Sequence, residues 1–267
     1  MKTILLLAHD DPGQEARFQA AVDIVHAVDG HLTCLDVAIL PAMIGSDYVG
    51  DVGATTLFAD AVAREGANRT HLEFRLMHED VPWDWIEASG AIAPCLRSAS
   101  ELADLIVVSR QLDDFPLPDM RAAAGALIIK SGKPLLAVPP GLARFDLTRA
   151  LIAWDGSVCA AAALRAAVPL LAFARQVTIL QIAGAANDAP AEDAAAYLSR
   201  HDIHAIVEHQ ANGEVPVADQ IVARATEVRA GYIVMGGFGH LRFVEALFGG
   251  TTRALLAHSP LPLFLAH

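Results

Sequence analysis

Basic residues are scarce in this 267-residue chain: 19 Lys and Arg stand against 31 Asp and Glu, a formal net charge of −12. Nucleic acid and anionic membranes present polyanionic surfaces that need clustered cations, so the balance argues against both as partners. Cysteines number three, scattered at 34, 95 and 159 without CxxC spacing. They support no disulfide framework, and free, mostly buried thiols in a reducing cytoplasm are expected. Charged residues make up 19% and aromatics 6%, against a hydrophobic share of 54%. That composition excludes disorder and predicts a large dry core with closely packed helices. Long apolar runs are missing too. Met1 to Ala8 meets His9-Asp10-Asp11-Pro12 too early for a signal peptide, and Val158 to Ala174 is interrupted by Arg165 and Pro169. The second stretch is short for a membrane span and reads as a buried helix.

Catalytic motifs are absent as well. Ser131-Gly132-Lys133-Pro134 lacks the upstream glycine and the hydroxyl residue of a phosphate-binding P-loop, and no Gly-x-Ser-x-Gly or Gly-x-Gly-x-x-Gly occurs. His201, His204, Glu208 and His209 are close in sequence but give no three-ligand zinc pattern, and His78-Glu79-Asp80 reads as a solvated loop. No metal ligands and no catalytic residues are assigned, so an enzyme is not expected.

What the chain does contain is Met235-Gly236-Gly237-Phe238-Gly239-His240, then, after nine residues beyond Gly239, Gly249-Gly250-Thr251-Thr252. The apolar run Tyr232 to Met235 reads as a buried strand, and Thr251 to His258 as a helix. Glycines at a strand exit let backbone N–H groups approach a ligand where a Cβ would collide. A helix N-terminus beyond them adds unpaired donors and partial positive charge, a cradle suited to phosphate. No lysine or carboxylate pair stands beside it to hold a γ-phosphate or Mg²⁺, so any ATP hydrolysis is expected to be slow and incidental.

The chain also repeats itself. Ile4 to Asp10 resembles Ala150 to Asp155, Asp104 to Val108 resembles Tyr232 to Met235, and Leu127 to Val138 resembles Leu255 to Ala266, in the same order. A tandem duplication follows, with its boundary at Pro139-Pro140-Gly141 and domains over 1–140 and 146–267. Strands are expected near 2–8, 31–38, 71–77, 104–108 and 134–138, then 149–154, 176–182, 203–208, 231–235 and 262–266. Helices are expected near 13–29, 55–69, 84–102 and 120–131, then 157–174, 190–201, 215–229 and 250–258. Trp83 and Trp85 then start a helix, and the stretch from Pro41 to Gly53 is a surface loop. Alternating elements of this kind build a parallel sheet covered on both faces, with ligands at the carboxyl ends of its strands. Asp155, Ile182, Met235 and Gly236 would all line that crevice.

Repeat, strand order and glycine spacing together resemble the universal stress protein family in its tandem, two-domain form. The family motif is Gly, two residues, Gly, nine residues, Gly, then Ser or Thr. Here Gly236, Gly239 and Gly249 match it, Gly250 stands in the hydroxyl place, and Thr251-Thr252 follow. The resemblance implies two five-stranded α/β sandwiches of the adenine-nucleotide α-hydrolase-like, Rossmann-type fold. It implies ATP or another adenine nucleotide, with or without Mg²⁺, in the C-terminal domain, where Asp155 sits by the adenine-ribose site and Ile182 reads the adenine edge. His240 lies in the same loop, where a solvent-facing role competes with phosphate contact. It also implies that the last strands, Pro134 to Val138 and Pro262 to Ala266, join the halves as an internal pseudo-dimer, with a further homodimer compatible.

The first half departs from the pattern. Ser109-Arg110-Gln111-Leu112-Asp113-Asp114-Phe115-Pro116 has no glycines, and its carboxylates would repel phosphate, so a degenerate, non-binding copy is expected. Asp155-Gly156-Ser157 suits a helix N-cap as well as a ribose contact, and Thr251 or Thr252 suits a cap as well as a phosphate. Three functions compete. The first is a cytoplasmic stress-response protein whose nucleotide acts as a switch towards an unidentified protein partner; the second is a nucleotide-free adaptor of the same fold. The third, an enzyme cleaving ATP between its α- and β-phosphates, ranks last, because neither first-strand ending supplies a Ser-Gly-Gly-type loop.

Overall fold

A computed structural model describes residues 1–39, 51–112, 118–183, 189–237 and 250–267. Ten strands form one sheet in the order β3-β2-β1-β4-β5-β10-β9-β6-β7-β8. In the first half these are β1 Thr3–Leu7, β2 His31–Ala38, β3 Trp83–Ser89, β4 Leu105–Ser109 and β5 Leu135–Val138. Their counterparts are β6 Arg149–Trp154, β7 Gln176–Ile182, β8 Ala205–Gln210, β9 Tyr232–Gly236 and β10 Leu263–Ala266. Every pairing is parallel except the central one, where β5 and β10 run antiparallel.

The apolar runs predicted this arrangement because strands covered on both faces need no polar alternation. Along β1, Ile4 and Leu6 pack on one face and Leu5 and Leu7 on the other, all at 1% exposure or less. One face is covered by α1 Gln14–Val28, α2 Asp51–Leu76, α5 Val158–Leu171 and α6 Ala191–Ser199. The opposite face carries α3 Ile92–Ala99, α4 Met120–Ser131, α7 Val217–Glu227 and α8 Gly250–His258. The stretch from Val158 is the buried helix expected, and among the described residues no helix is long and apolar enough to cross a membrane.

Two expectations fail. Residues 71–77 are not a strand but the end of α2. His71-Leu72-Glu73-Phe74-Arg75-Leu76 alternates like a strand, yet the pair that is buried is Leu72 and Leu76, one helical turn apart at 1% each, while Phe74 is 61% exposed. Helix α2 therefore extends to residue 76, and the strand moves downstream to Trp83–Ser89. Trp83 and Trp85 accordingly lie on an edge strand rather than at a helix start, with the Arg69 guanidinium 5.5 Å from the Trp85 ring centre. Exposed Asp84 and Glu87 along β3 discourage further strand addition at that edge. Of the expected loop from Pro41 to Gly53, residues 41–50 lie outside the described residues and 51–53 begin α2.

The β5–β10 pairing obeys a pseudo-dyad. Leu263 faces Ala137, Phe264 faces Leu136 and Leu265 faces Leu135. The ladders on either side are equivalent: Ser109 pairs with Val138 as Gly236 pairs with Ala266. Phe264, fully buried at this seam, should cost about 3–5 kcal/mol when truncated to alanine. Urea unfolding of Phe264→Ala measures this, and a loss under about 1 kcal/mol would contradict a seam held by core packing.

Candidate functional site

Strand carboxyl ends in each half form a crevice beside the first helix of that half. The equivalences set by the ladders allow the two crevices to be compared residue by residue.

In the first half the space is filled. Arg17, on α1, is fully buried. Its Nη1 donates to Asp11 Oδ1 and Oδ2 at 2.8 and 2.9 Å and to Ser109 Oγ at 2.6 Å, while Nε and Nη2 donate to the Leu7 and His9 carbonyls at 3.0 and 2.8 Å. A buried cation needs this degree of satisfaction, since an unpaired one would cost several kcal/mol. Strand ends β1 and β4 and the start of α1 are thus pinned around one guanidinium. Gly13, the N-cap of α1, permits the approach: a Cβ there would sit 2.3 Å from Ser109 Oγ.

Beside this plug lies a second buried polar group. His9 Nδ1 and Glu65 Oε1 are 2.7 Å apart, both side chains 3% exposed, in an ion-pair contact off the line of a hydrogen bond. Asp36, at the end of β2, bonds to Glu65 and is 5% exposed, with its Oδ1 lacking a partner. Burial, and then the Glu65 carboxylate, push Asp36 up from 3.8 to about 7. Burial also raises Glu65, but the close contact and charge of His9, with the Asp10 N–H, hold it below its ordinary value. Sequence reading missed both clusters. The signal for Arg17 was present, because Ala20, Ala21 and Ile24 on the same helical face are all fully buried.

In the second half the corresponding positions are small. Counting from the N-caps Gly13 and Ser157, Ala161 takes the place of Arg17, and Gly236 takes that of Ser109. Asp155 Oδ1 accepts the Ser157 N–H at 2.9 Å, and Ser157 Oγ accepts from the Ala160 N–H at 3.1 Å, so the segment does cap α5. Trp154 Nε1 donates to the Ala189 carbonyl at 3.0 Å. Register places the ends of β6, β7 and β9 side by side, Ala153 beside Met235 and Trp154 beside Gln181, which brings Asp155, Ile182, Met235 and Gly236 to one end of the sheet. Ile182 and Met235 are buried, at 8% and 6%.

The two described glycines of the motif answer to packing inside the chain. A Cβ on Gly236 would lie 2.5 Å from the Ala160 nitrogen, and one on Gly237 would lie 2.9 Å from Ile128 Cγ2 on α4. The Gly237 N–H is taken by the Ala266 carbonyl at 2.8 Å. Gly250 is exposed with open space around it, and with Thr251 and buried Thr252 it makes the first turn of α8, whose N–H groups have no intrahelical acceptor. Gly239, His240 and Gly249 lie outside the described residues, as do Asp113 and Asp114.

The other clusters are structural pairs. Glu208 is bound by Arg224 and His209 by Glu192, and the His201 ring packs at a tilt against Tyr197. Among the described residues no group of His, Cys, Asp and Glu is placed to hold a metal ion. Cys34, Cys95 and Cys159 are free thiols.

No protein-family model and no curated protein matches this sequence. Solved structures do. A universal stress protein from Archaeoglobus fulgidus DSM 4304 superposes with a TM-score of 0.75 at 16% identity, covering 99% of this chain and 97% of that one. A functionally unknown protein from Pseudomonas aeruginosa PAO1 gives 0.61 at 16% identity, covering 100% and 92%. The likeness establishes the fold: this chain has the tandem architecture of that archaeal universal stress protein along its whole length.

Arg17→Met should destabilise the protein by about 3–5 kcal/mol in urea unfolding, because Asp11 is left buried and unpaired; a near-neutral variant would show the pair to be dispensable. Asp36 binds its proton more tightly folded than unfolded, so its contribution to stability is full below pH 3.8 and is lost as the pH rises towards about 7. Asp36→Asn should therefore gain on the wild type between pH 5 and pH 8, by at most about 3 kcal/mol. Thermal melts at both pH values check this, and a difference independent of pH would contradict it.

Proposed function

We propose that this chain is a universal stress protein that binds an adenine nucleotide, ATP, ADP or AMP, in its second half. Occupancy then acts as a switch read by a protein partner in the cytoplasm. The observation that carries the reading is the asymmetry between the two crevices. Where the first half places the Arg17 guanidinium and the Ser109 hydroxyl, the second has Ala161 and Gly236, positions that bring no side-chain donor or hydroxyl to the strand ends.

Each part of the ligand has a matching surface. Ile182 and Met235 offer apolar contact to the base, and Asp155 stands at the strand end where a ribose hydroxyl would lie. Phosphates meet the first turn of α8, where Gly250, Thr251 and Thr252 contribute N–H groups, hydroxyls and the positive end of the helix dipole. The motif's spacing alone would add Gly239, His240 and Gly249, which lie outside the described residues. No residue of the second half is assigned a role in breaking a phosphate bond, and the function is binding. A switch requires only that the nucleotide favour one of two loop states over the other.

A nucleotide-free adaptor of the same fold is the second reading. It draws on Gly236 and Gly237, which packing against α5 and α4 accounts for without any ligand. Mass spectrometry of gently denatured protein, together with melting in millimolar ATP, separates the two. Co-purified ATP, ADP or AMP, or a melting temperature raised by ATP in line with about 2.7 kcal/mol at a hundredfold excess over Kd, supports the switch. No nucleotide and no shift would leave the adaptor.

A further inference from the structure

We propose that Arg110, a first-half residue, is a positioning residue for the phosphate end of the second half's site; this rests on the nucleotide reading above. The C-terminal end of α8, a second-half helix, is bonded by first-half residues. Its N-terminal turn, Gly250-Thr251-Thr252, faces the proposed phosphates. Its C-terminal turn is held from across the seam: Arg110 Nη1 donates to the Ala257 carbonyl at 2.7 Å, Nε to the Ser259 carbonyl at 2.9 Å, and the Gln111 N–H to the Leu256 carbonyl at 3.0 Å.

These carbonyls are among the groups a helix end leaves without intrahelical partners, and a cation there also opposes the negative end of the dipole. Arg110 is 8% exposed, so solvent weakens the contact little. Its own N–H is fixed to the Val138 carbonyl at 2.9 Å, so the guanidinium is anchored in the central sheet. Helix α8 has nine residues and is about 13 Å long, a single rigid rod whose far end follows the near one.

The pseudo-dyad shows that this clamp is particular to one side. Gly237 is the counterpart of Arg110, since its N–H meets Ala266 as that of Arg110 meets Val138. A Cβ there would lie 2.9 Å from Ile128 Cγ2 of α4, so the glycine carries no side chain into that contact. The strand end that lost its own cradle thus supplies a cationic grip on the helix completing the other.

Calorimetric titration of the full chain with ATP and, separately, with adenosine tests the idea in wild type, Arg110→Ala and Arg110→Lys. Loosening α8 should weaken ATP about tenfold in Arg110→Ala and leave adenosine within about twofold, with Arg110→Lys between. A fold-wide defect would weaken both ligands together and overturn the proposal, as would an unchanged ATP affinity. Should Arg110→Ala fail to fold, Arg110→Lys decides alone: ATP weakened with adenosine spared supports the proposal, and any other pattern refutes it. A wild type that binds neither ligand overturns the nucleotide reading itself, and this inference with it.

Discussion

The antiparallel pairing of β5 with β10 is the contact on which everything else rests. Among the described strands it is the one antiparallel ladder in an otherwise parallel sheet, and it turns two repeats into a single ten-stranded layer. A homodimer would bring equal halves together across such a seam. A tandem chain is free to let them diverge, and this one has done so at the strand ends. One crevice is stitched shut by a buried arginine, while its counterpart keeps alanine and glycine at the same places.

Divergence of this kind has a physical logic. In the second half, Gly236 lets the α5 backbone close on β9, and Ser157 caps that helix. In the first half Arg17 supplies donors to two carbonyls, a carboxylate and a hydroxyl at once, so the fold there is complete without a ligand. The cost is a cation held out of water, balanced by Asp11. The neighbouring His9, Glu65 and Asp36 bury charge in the same way, with the Asp36 carboxyl pushed up to about 7 by burial and Glu65.

Much of this was legible in the sequence, for reasons that can be named. Apolar runs located nine strands, the matched segments revealed the duplication, and the family resemblance implied the seam. The stretch 71–89 misled because Leu72, Phe74 and Leu76 alternate as a strand would, while burial selects the helical pair Leu72 and Leu76. Glycine spacing pointed to the second half, but Gly236 and Gly237 turn out to be contact points with α5 and α4. Which backbone or side chain comes close to a glycine is decided by tertiary packing, which spacing does not encode. The clamp of Arg110 on α8 was equally invisible, because it joins residues about 150 positions apart, 149 between Arg110 and Ser259.

Photolabelling the full chain with an azido-adenine ATP analogue, followed by peptide mapping, tests the central asymmetry most directly. The account predicts label on peptides carrying Asp155, Ile182 or the 235–252 segment, suppressed by excess ATP. Competable label on the first-half strand ends, around His9 to Arg17 or Asp36, would contradict it.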